Sequence, residues 1–155
     1  MKNLWFYDYP IGVLGIAEEH GSISHVLFGN NKKLAGYKIA ETPFIQKSAR
    51  QLSEYFDGKR KEFDLQLALH GTDFQRSVWN TLCSIPFGET RSYKDIAVIV
   101  GRPLAARAVG MSNNRNPIPI IVPCHRVIGH NGSLTGYAGG LHIKKYLLDL
   151  EKANT

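Results

Sequence analysis

The chain is poor in cysteine and short of acid. Cys83 and Cys124 are its only cysteines, too few for a disulfide scaffold, and no Cys/His grouping has zinc-ligand spacing. Free thiols in a reducing compartment, no metal and no cofactor are therefore expected. No apolar run approaches the roughly 20 residues that a membrane helix requires. The N-terminus reads Met-Lys-Asn-Leu-Trp-Phe-Tyr-Asp, with an early acid and no signal-peptide cleavage pattern. A cytoplasmic protein without a membrane partner is expected. Acidic residues number 13 against 19 Lys and Arg, and the shortfall is local. Residues 1–70 hold 9 basic and 8 acidic side chains, a net of +1, whereas residues 71–155 hold 10 and 5, a net of +5. Six of those later ten are arginines, whose planar fork suits phosphate. The second half thus hints at a nucleic-acid partner, against the plainer reading of a solubilising surface. At 155 residues, with 43% hydrophobic and 21% charged side chains, the chain suffices for one ordinary domain or two small ones.

What is abundant is proline in one place. Residues 116–127 read Asn-Pro-Ile-Pro-Ile-Ile-Val-Pro-Cys-His-Arg-Val. Each proline fixes its own φ and pushes the preceding residue toward extended geometry, so a stiff, extended, buried segment is expected. It ends on Cys124, followed by His125 and Arg126. An imidazole and a guanidinium beside a thiol favour the thiolate, which is the nucleophile. The plainer alternative is a buried cysteine acting as a small hydrophobe.

Ahead of this segment, Val13-Leu-Gly-Ile-Ala17 and Ile23-Ser-His-Val-Leu-Phe28 flank a turn-like cluster at 18–22 and predict a hairpin. A polar break follows at 29–33. Thr42 before Pro43 predicts a helix start, Ile45, Ala49, Leu52 and Phe56 recur at helical spacing, and Gly58 lies past the end. Phe63, Leu65, Leu67 and Leu69 alternate like a further strand. This half reads as a small α+β unit without a catalytic constellation; His20, His25 and His70 read as surface or strand histidines.

From residue 71 short helices are expected. Phe74, Val78, Trp79 and Leu82 share one face of a helix over about 73–84, with Cys83 in the core and Pro86-Phe-Gly88 as its stop. Ser92 and Asp95 form a capping-box pattern before Ile96, Ala97 and Val100. Gly101 ends that helix and Pro103 starts the next, which runs to about Asn113; the pair reads as a helix-turn-helix. The second helix is rich in small residues, which suits a DNA groove or tight packing against another helix equally. Arg107 on it suits a phosphate contact, a wedge into a base stack, or plain solubilisation. Residues 129–140 contain five glycines, which allow close approach of a backbone to a ligand. A last helix over about 141–152 turns Lys144 and Lys145 outward and ends near Glu151, either a solvated acid or the group that orients His125.

Taken together these blocks resemble the O6-alkylguanine-DNA alkyltransferases, also called methylated-DNA–protein-cysteine methyltransferases. The resemblance rests on Ile-Pro-Ile-Ile-Val-Pro-Cys-His-Arg-Val at 118–127. It extends through Phe74-Gln-Arg-Ser-Val-Trp79, Pro86-Phe-Gly-Glu89, Ser92-Tyr93, Ala106-Arg-Ala-Val-Gly110, Asn116-Pro117, Gly136-Tyr-Ala-Gly-Gly-Leu141, Leu147-Leu148 and Glu151. Residues 1–70 match only loosely.

The resemblance implies an α/β chain in two parts. A small α+β, ribonuclease-H-like domain would cover 1–70, and a mostly helical domain with a winged-helix-like helix-turn-helix would cover 71–155. It implies direct-reversal repair: Cys124 takes a methyl or other alkyl group from O6 of guanine, with O4 of thymine open, after the base is flipped out of double-stranded DNA. A thioether is a poor leaving group, so one transfer per molecule is implied. His125 would take the thiol proton through a water, with Glu151 orienting it and Tyr93 assisting the leaving base. Asn116 and Arg126 would hold the active-site segment. Tyr93, Ala106, Arg107 and Arg115 would meet DNA, with Arg107 filling the vacated stack. The carbonyls of Cys124 and Val127 would hold the guanine amine, and Tyr137, Ala138 and Gly139 would complete the pocket, with Cys124 at its floor. Ala138 stands where some members have serine. Some members carry zinc in the first domain, and the lack of cysteine there argues against it. A monomer is implied, with cooperativity on DNA open. The alternatives are a module that binds alkylated DNA without repairing it, which would lack the cysteine, and a thiol hydrolase, which would not need Arg107 or the helix-turn-helix. A regulator fused to a further module is a third, for which 155 residues leave no room.

Overall fold

The computed structural model describes residues 1–31 and 33–155; of the polar break expected at 29–33, Lys32 lies outside the described residues. Contacts divide the chain into two units, Met1–Leu69 and His70–Thr155.

In the first unit, β1 (Lys2–Tyr9), β2 (Gly12–Glu19) and β3 (Ser22–Phe28) form an antiparallel meander, and β4 (Lys38–Ile39) pairs parallel to β1, giving the order β3-β2-β1-β4. The β2–β3 turn is tighter than the 18–22 cluster suggested. Glu18 and Glu19 stay in β2, and His20 (φ 51°) and Gly21 (φ 80°) make a two-residue turn, the positive-φ pair that matches strand twist. Helix α1 (Pro43–Phe56) begins as expected, the Thr42 hydroxyl accepting from the Ile45 amide at 3.2 Å. It buries Ile45, Ala49, Leu52 and Phe56 against the sheet. The strand expected over 63–69 does not form. Leu67 makes an isolated bridge to Ile23, while the backbone of Asp64 is satisfied by the Gln51 side chain, donating at 2.9 Å and accepting at 3.2 Å. A side chain on α1 thus takes the hydrogen bonds that a sheet neighbour would have supplied.

In the second unit, α2 (Asp73–Leu82) opens on a capping box between Thr72 and Gln75. Val78, Trp79 and Leu82 are buried, and the Trp79 indole donates to the Ser112 carbonyl at 2.8 Å, joining α2 to the later helix that holds Ser112. Cys83 is not core: it caps the C-terminus of α2, one position past the buried face, and is exposed. The two-residue strand β5 (Arg91–Ser92) leads into α3 (Tyr93–Ile99), whose Ser92/Asp95 capping box is fully formed. Pro103 does not start the next helix. Residues 102–105 make a turn closed by Ala105 N–H to Arg102 carbonyl at 2.9 Å, and α4 runs Ala106–Asn114. The fixed φ of proline serves a turn position as well as a helix start.

The segment after α4 is buried but not extended. Ile118, Ile120, Ile121 and Val122 are at most 8% exposed. The chain reverses over Pro119–Val122, with a Val122-to-Ile118 backbone bond of 2.9 Å and Ile120 held at φ 75°. For a β-branched residue that conformation costs about 1–3 kcal/mol. Asn116 compensates by gripping both limbs, its amide donating to Val122 O at 2.8 Å and its oxygen accepting from the Ile118 amide at 2.9 Å. A single 3₁₀ turn (Cys124–Arg126) follows, then β6 (Val127–Ile128), parallel to β5, and finally α5 (Leu141–Ala153). No helix among the described residues is long and apolar enough to cross a membrane.

Candidate active site

The reversal at 119–122, locked by Asn116, delivers residues 124–126 as one rigid turn against α5. His125 is 0% and Glu151 1% exposed, and His125 Nε2 lies 2.6 Å from Glu151 Oε2. Arg126 donates to the same carboxylate from Nε (2.8 Å) and Nη2 (3.0 Å), and from Nη1 to the Ile85 carbonyl at 2.7 Å. The Gly88 amide adds a fourth donor to Glu151, at 3.1 Å. Gly88 sits at φ 82°, the left-handed region that a side chain disfavours. Glu151 is therefore no solvated helix-end acid.

These contacts decide the protonation states. Burial by itself would raise the Glu151 carboxyl, but His125 and Arg126 hold it well below the usual carboxylate range. Burial pushes His125 down, outweighing Glu151, so its imidazole is neutral at pH 7. A neutral ring facing a carboxylate donates from Nε2, which leaves the lone pair on Nδ1. Nδ1 is buried and has no protein partner among the described residues. The ring is thus a base held in one tautomer.

Cys124 differs from the expectation of a favoured thiolate. Burial pushes its thiol up to about 11, with Asn116 and Lys144 acting the other way. Arg126, two residues further on, spends its charge on Glu151 and over the Phe87 ring. Asn113, 2% exposed, donates to the Cys124 carbonyl at 3.3 Å.

Lys144 was expected to point outward and is fully buried instead, at 0% exposure. Its ammonium donates to the carbonyls of Val127 and Thr135, each at 2.7 Å. Its position follows from helical periodicity: Lys144, Leu147 and Glu151 lie three and four residues apart on one face of α5.

A cleft of about 710 Å³ is lined by Tyr93, Ala106, Arg107 and Gly110 on one side and by His130 and Thr135 on the other. The Tyr93 hydroxyl meets Thr135 Oγ1 at 2.8 Å. Arg107 is exposed on the cleft wall, and a Cβ at Gly110 would reach the Tyr93 ring at ordinary contact distance. Gly136 lets the loop run close to α4, since a Cβ there would lie 3.0 Å from the Asn114 amide. Cys124, at 4% exposure, is not part of the cleft wall. Arg115 caps α4 and lines a separate depression with Phe74 and Met111. Tyr137, Ala138 and Gly139 form the turn closed by Gly140 N–H to Tyr137 O at 2.9 Å that enters α5.

The structure thus joins Cys124, His125, Glu151, Asn116, Arg126 and Val127 into one buried cluster, and Tyr93, Ala106 and Arg107 into one cleft. Lys144, Asn113, Gly88 and Thr135 were not picked out by sequence reasoning. Only Lys144 carried a signal, its phase with Glu151.

Comparison with known proteins places the whole chain. The 6-O-methylguanine DNA methyltransferase DNA-binding domain matches residues 73–153, and the ribonuclease-like domain of the same proteins matches residues 5–69. A methylated-DNA–protein-cysteine methyltransferase of Methanosarcina barkeri is 54% identical over 155 residues, covering 96% of this chain and 98% of its own length. The constitutive enzyme of that name from Bacillus subtilis is 48% identical, covering 94% and 92%. Mycobacterium tuberculosis OGT in complex with DNA superposes with a TM-score of 0.93 at 45% identity, over 99% of this chain and 94% of that one. The chain belongs to the 6-O-methylguanine DNA methyltransferase family.

Proposed function

We propose that this protein is a methylated-DNA–protein-cysteine methyltransferase that moves an alkyl group from O6 of guanine in double-stranded DNA onto Cys124. The observation that carries the reading is the His125–Glu151 pair beside Cys124: a neutral imidazole with a fixed Nε2–H and a buried Nδ1 that has no partner among the described residues. In an in-line displacement the Sγ–carbon bond forms as the carbon–O6 bond breaks. The thiol proton passes to His125 Nδ1 through a water, and Tyr93 delivers an equivalent proton to a guanine ring nitrogen, solvent restoring both groups. Carbonyls of Cys124 and Val127 receive the guanine amine, and the turn at 137–139 covers the base.

The reacting carbon is hidden in a duplex, so the base leaves the stack at a cost of a few kcal/mol. Tyr93, Ala106 and Arg107 on the cleft wall suit that step, with Arg107 filling the gap. Arg115, on another face, is assigned a phosphate contact. Because Cys124 is not on the cleft wall, base entry requires the Tyr93–Thr135 contact to part. Nothing in the site would cleave a thioether, so each molecule acts once, as a cytoplasmic monomer.

The test is incubation with a duplex oligonucleotide carrying O6-methylguanine, followed by mass measurement of the peptide holding Cys124. A gain of one methyl group is expected. Retained DNA binding without that gain would replace this reading with a damage-binding module, and repair of more than one lesion per protein would remove the single-use mechanism.

A further inference from the structure

Asn113 holds a buried oxygen that no protein group satisfies. The residue is 2% exposed, and its Oδ1 is shut off from solvent with no hydrogen-bond partner among the described residues. A buried acceptor without a donor costs free energy, and native proteins tolerate few of them. The other end of the amide fixes its orientation. Nδ2 donates to the Cys124 carbonyl at 3.3 Å, and a carbonyl only accepts, so the open atom is the oxygen. Helix α4 explains the placement. Ala106, Arg107, Gly110 and Asn114 line the cleft, whereas Asn113, three residues past Gly110, is buried and meets Cys124. The Cys124 carbonyl in turn has little left to offer a ligand. It accepts from the Val127 amide as well as from Asn113, which engages both of its lone pairs. The Val127 carbonyl likewise accepts from the Lys144 ammonium.

We propose that Asn113 is a specificity-determining residue of the base pocket: its Oδ1 accepts an N–H of the guanine exocyclic amine, beside the Cys124 and Val127 carbonyls. Alkylation at O6 leaves N1 without a hydrogen, so the two N–H groups of that amine are the hydrogen-bond donors on the Watson–Crick edge of the flipped base. Of the three oxygens that could receive them, Asn113 Oδ1 alone carries no protein donor among the described residues. A guanine would satisfy it, whereas a base without the amine would leave it buried and unpaired, and a site of that kind rejects the analogue that lacks the donor. Asn113 thus acts on which base is held, not on the displacement at the alkyl carbon. This inference rests on the proposed transfer to Cys124 and refines which atoms receive the amine.

The test compares single-turnover methyl transfer to the full chain from two duplexes that differ only in the damaged base, O6-methylguanine or O6-methylhypoxanthine, which lacks the exocyclic amine. The parent should react about tenfold faster with O6-methylguanine. Asn113→Leu, which keeps the bulk and removes the oxygen, should cut that ratio several-fold, and Asn113→Ala gives the same readout without added volume. Asn113→Asp, which keeps an acceptor, should retain more of the ratio than either. Differences in stability between the two duplexes cancel when the ratios of parent and variant are compared. An unchanged ratio in the folded variants, or an equal loss of rate on both bases, would overturn the proposal in favour of a residue that only braces the Cys124 segment. Loss of the folded state in both Asn113→Leu and Asn113→Ala would overturn it in the same way. A parent that takes methyl groups from both bases at equal rates would remove this inference alone, whereas a parent that takes none from either would remove the proposed function with it.

Discussion

The Glu151 carboxylate accepts four hydrogen bonds at 1% exposure, one from His125, two from Arg126 and one from the Gly88 amide. Removing its charge leaves Arg126 buried and unpaired, and breaking such a pair costs about 3–5 kcal/mol. Glu151→Gln should therefore lower the unfolding free energy by roughly 3 kcal/mol in urea. Breaking the exposed Lys145–Asp149 pair should cost under ~0.5 kcal/mol. A loss below about 1 kcal/mol for Glu151→Gln would mean that the carboxylate is not the anchor described. His125 and Glu151 also set a pH dependence. Both have folded values below their unfolded ones, so the unfolded chain binds protons first as pH falls. Their stability is fully present above about pH 6.5 and is lost progressively below it, first through His125 and then, below about pH 4.3, through Glu151. The melting temperature should fall from pH 7.5 to 4.5, and a flat profile would contradict the burial of a neutral His125.

At the scale of elements, α3 and α4 frame the cleft, and each has a separable role. The Ser92 cap fixes where α3 begins and hence where Tyr93 stands. Ser92→Ala should cost about 1 kcal/mol of stability and slow transfer through Tyr93; an unchanged melting temperature would show the cap to be idle. Arg107 is exposed on α4, so Arg107→Ala should leave the fold intact. It should weaken repair of duplex substrate more than reaction with free O6-methylguanine base, and an equal loss on both would refute a wedge. Helix α5 shows what periodicity can and cannot reveal. The spacing of Lys144, Leu147 and Glu151 was visible in the sequence, yet charge assigned Lys144 to solvent, because hydropathy does not register two carbonyls waiting in another segment.

The whole molecule carries +6, with +5 on residues 71–155. Binding to duplex DNA should weaken with salt, the logarithm of the binding constant falling with slope about −0.9 for each phosphate contacted. Competition titrations from ~50 to 200 mM salt would measure that slope, and a slope near zero would contradict a phosphate-contacting surface. The Lys and Arg residues that produce it were countable in the chain, as were the hairpin over β2 and β3, α1, the capping box of α3 and the helix-turn-helix.

Local chemistry determined these features, because caps, glycines, prolines and apolar periodicity act within a few residues. The motif around Cys124, with Glu151 further along, likewise supplied the thiol, imidazole and carboxylate proposed as nucleophile, base and orienter. What only the tertiary structure decided depends on partners distant in sequence. In the segment at 63–69 Gln51 took the backbone bonds of Asp64 and only a single bridge to Ile23 formed, and residues 118–122 reversed with Asn116 gripping both limbs. Burial raises the Cys124 thiol despite its neighbours, since the guanidinium two residues on turned to Glu151. Lys144, twenty residues further along the chain, is buried against the Val127 and Thr135 carbonyls rather than turned to solvent. Charge acts through space and burial, and neither is written in the order of the residues.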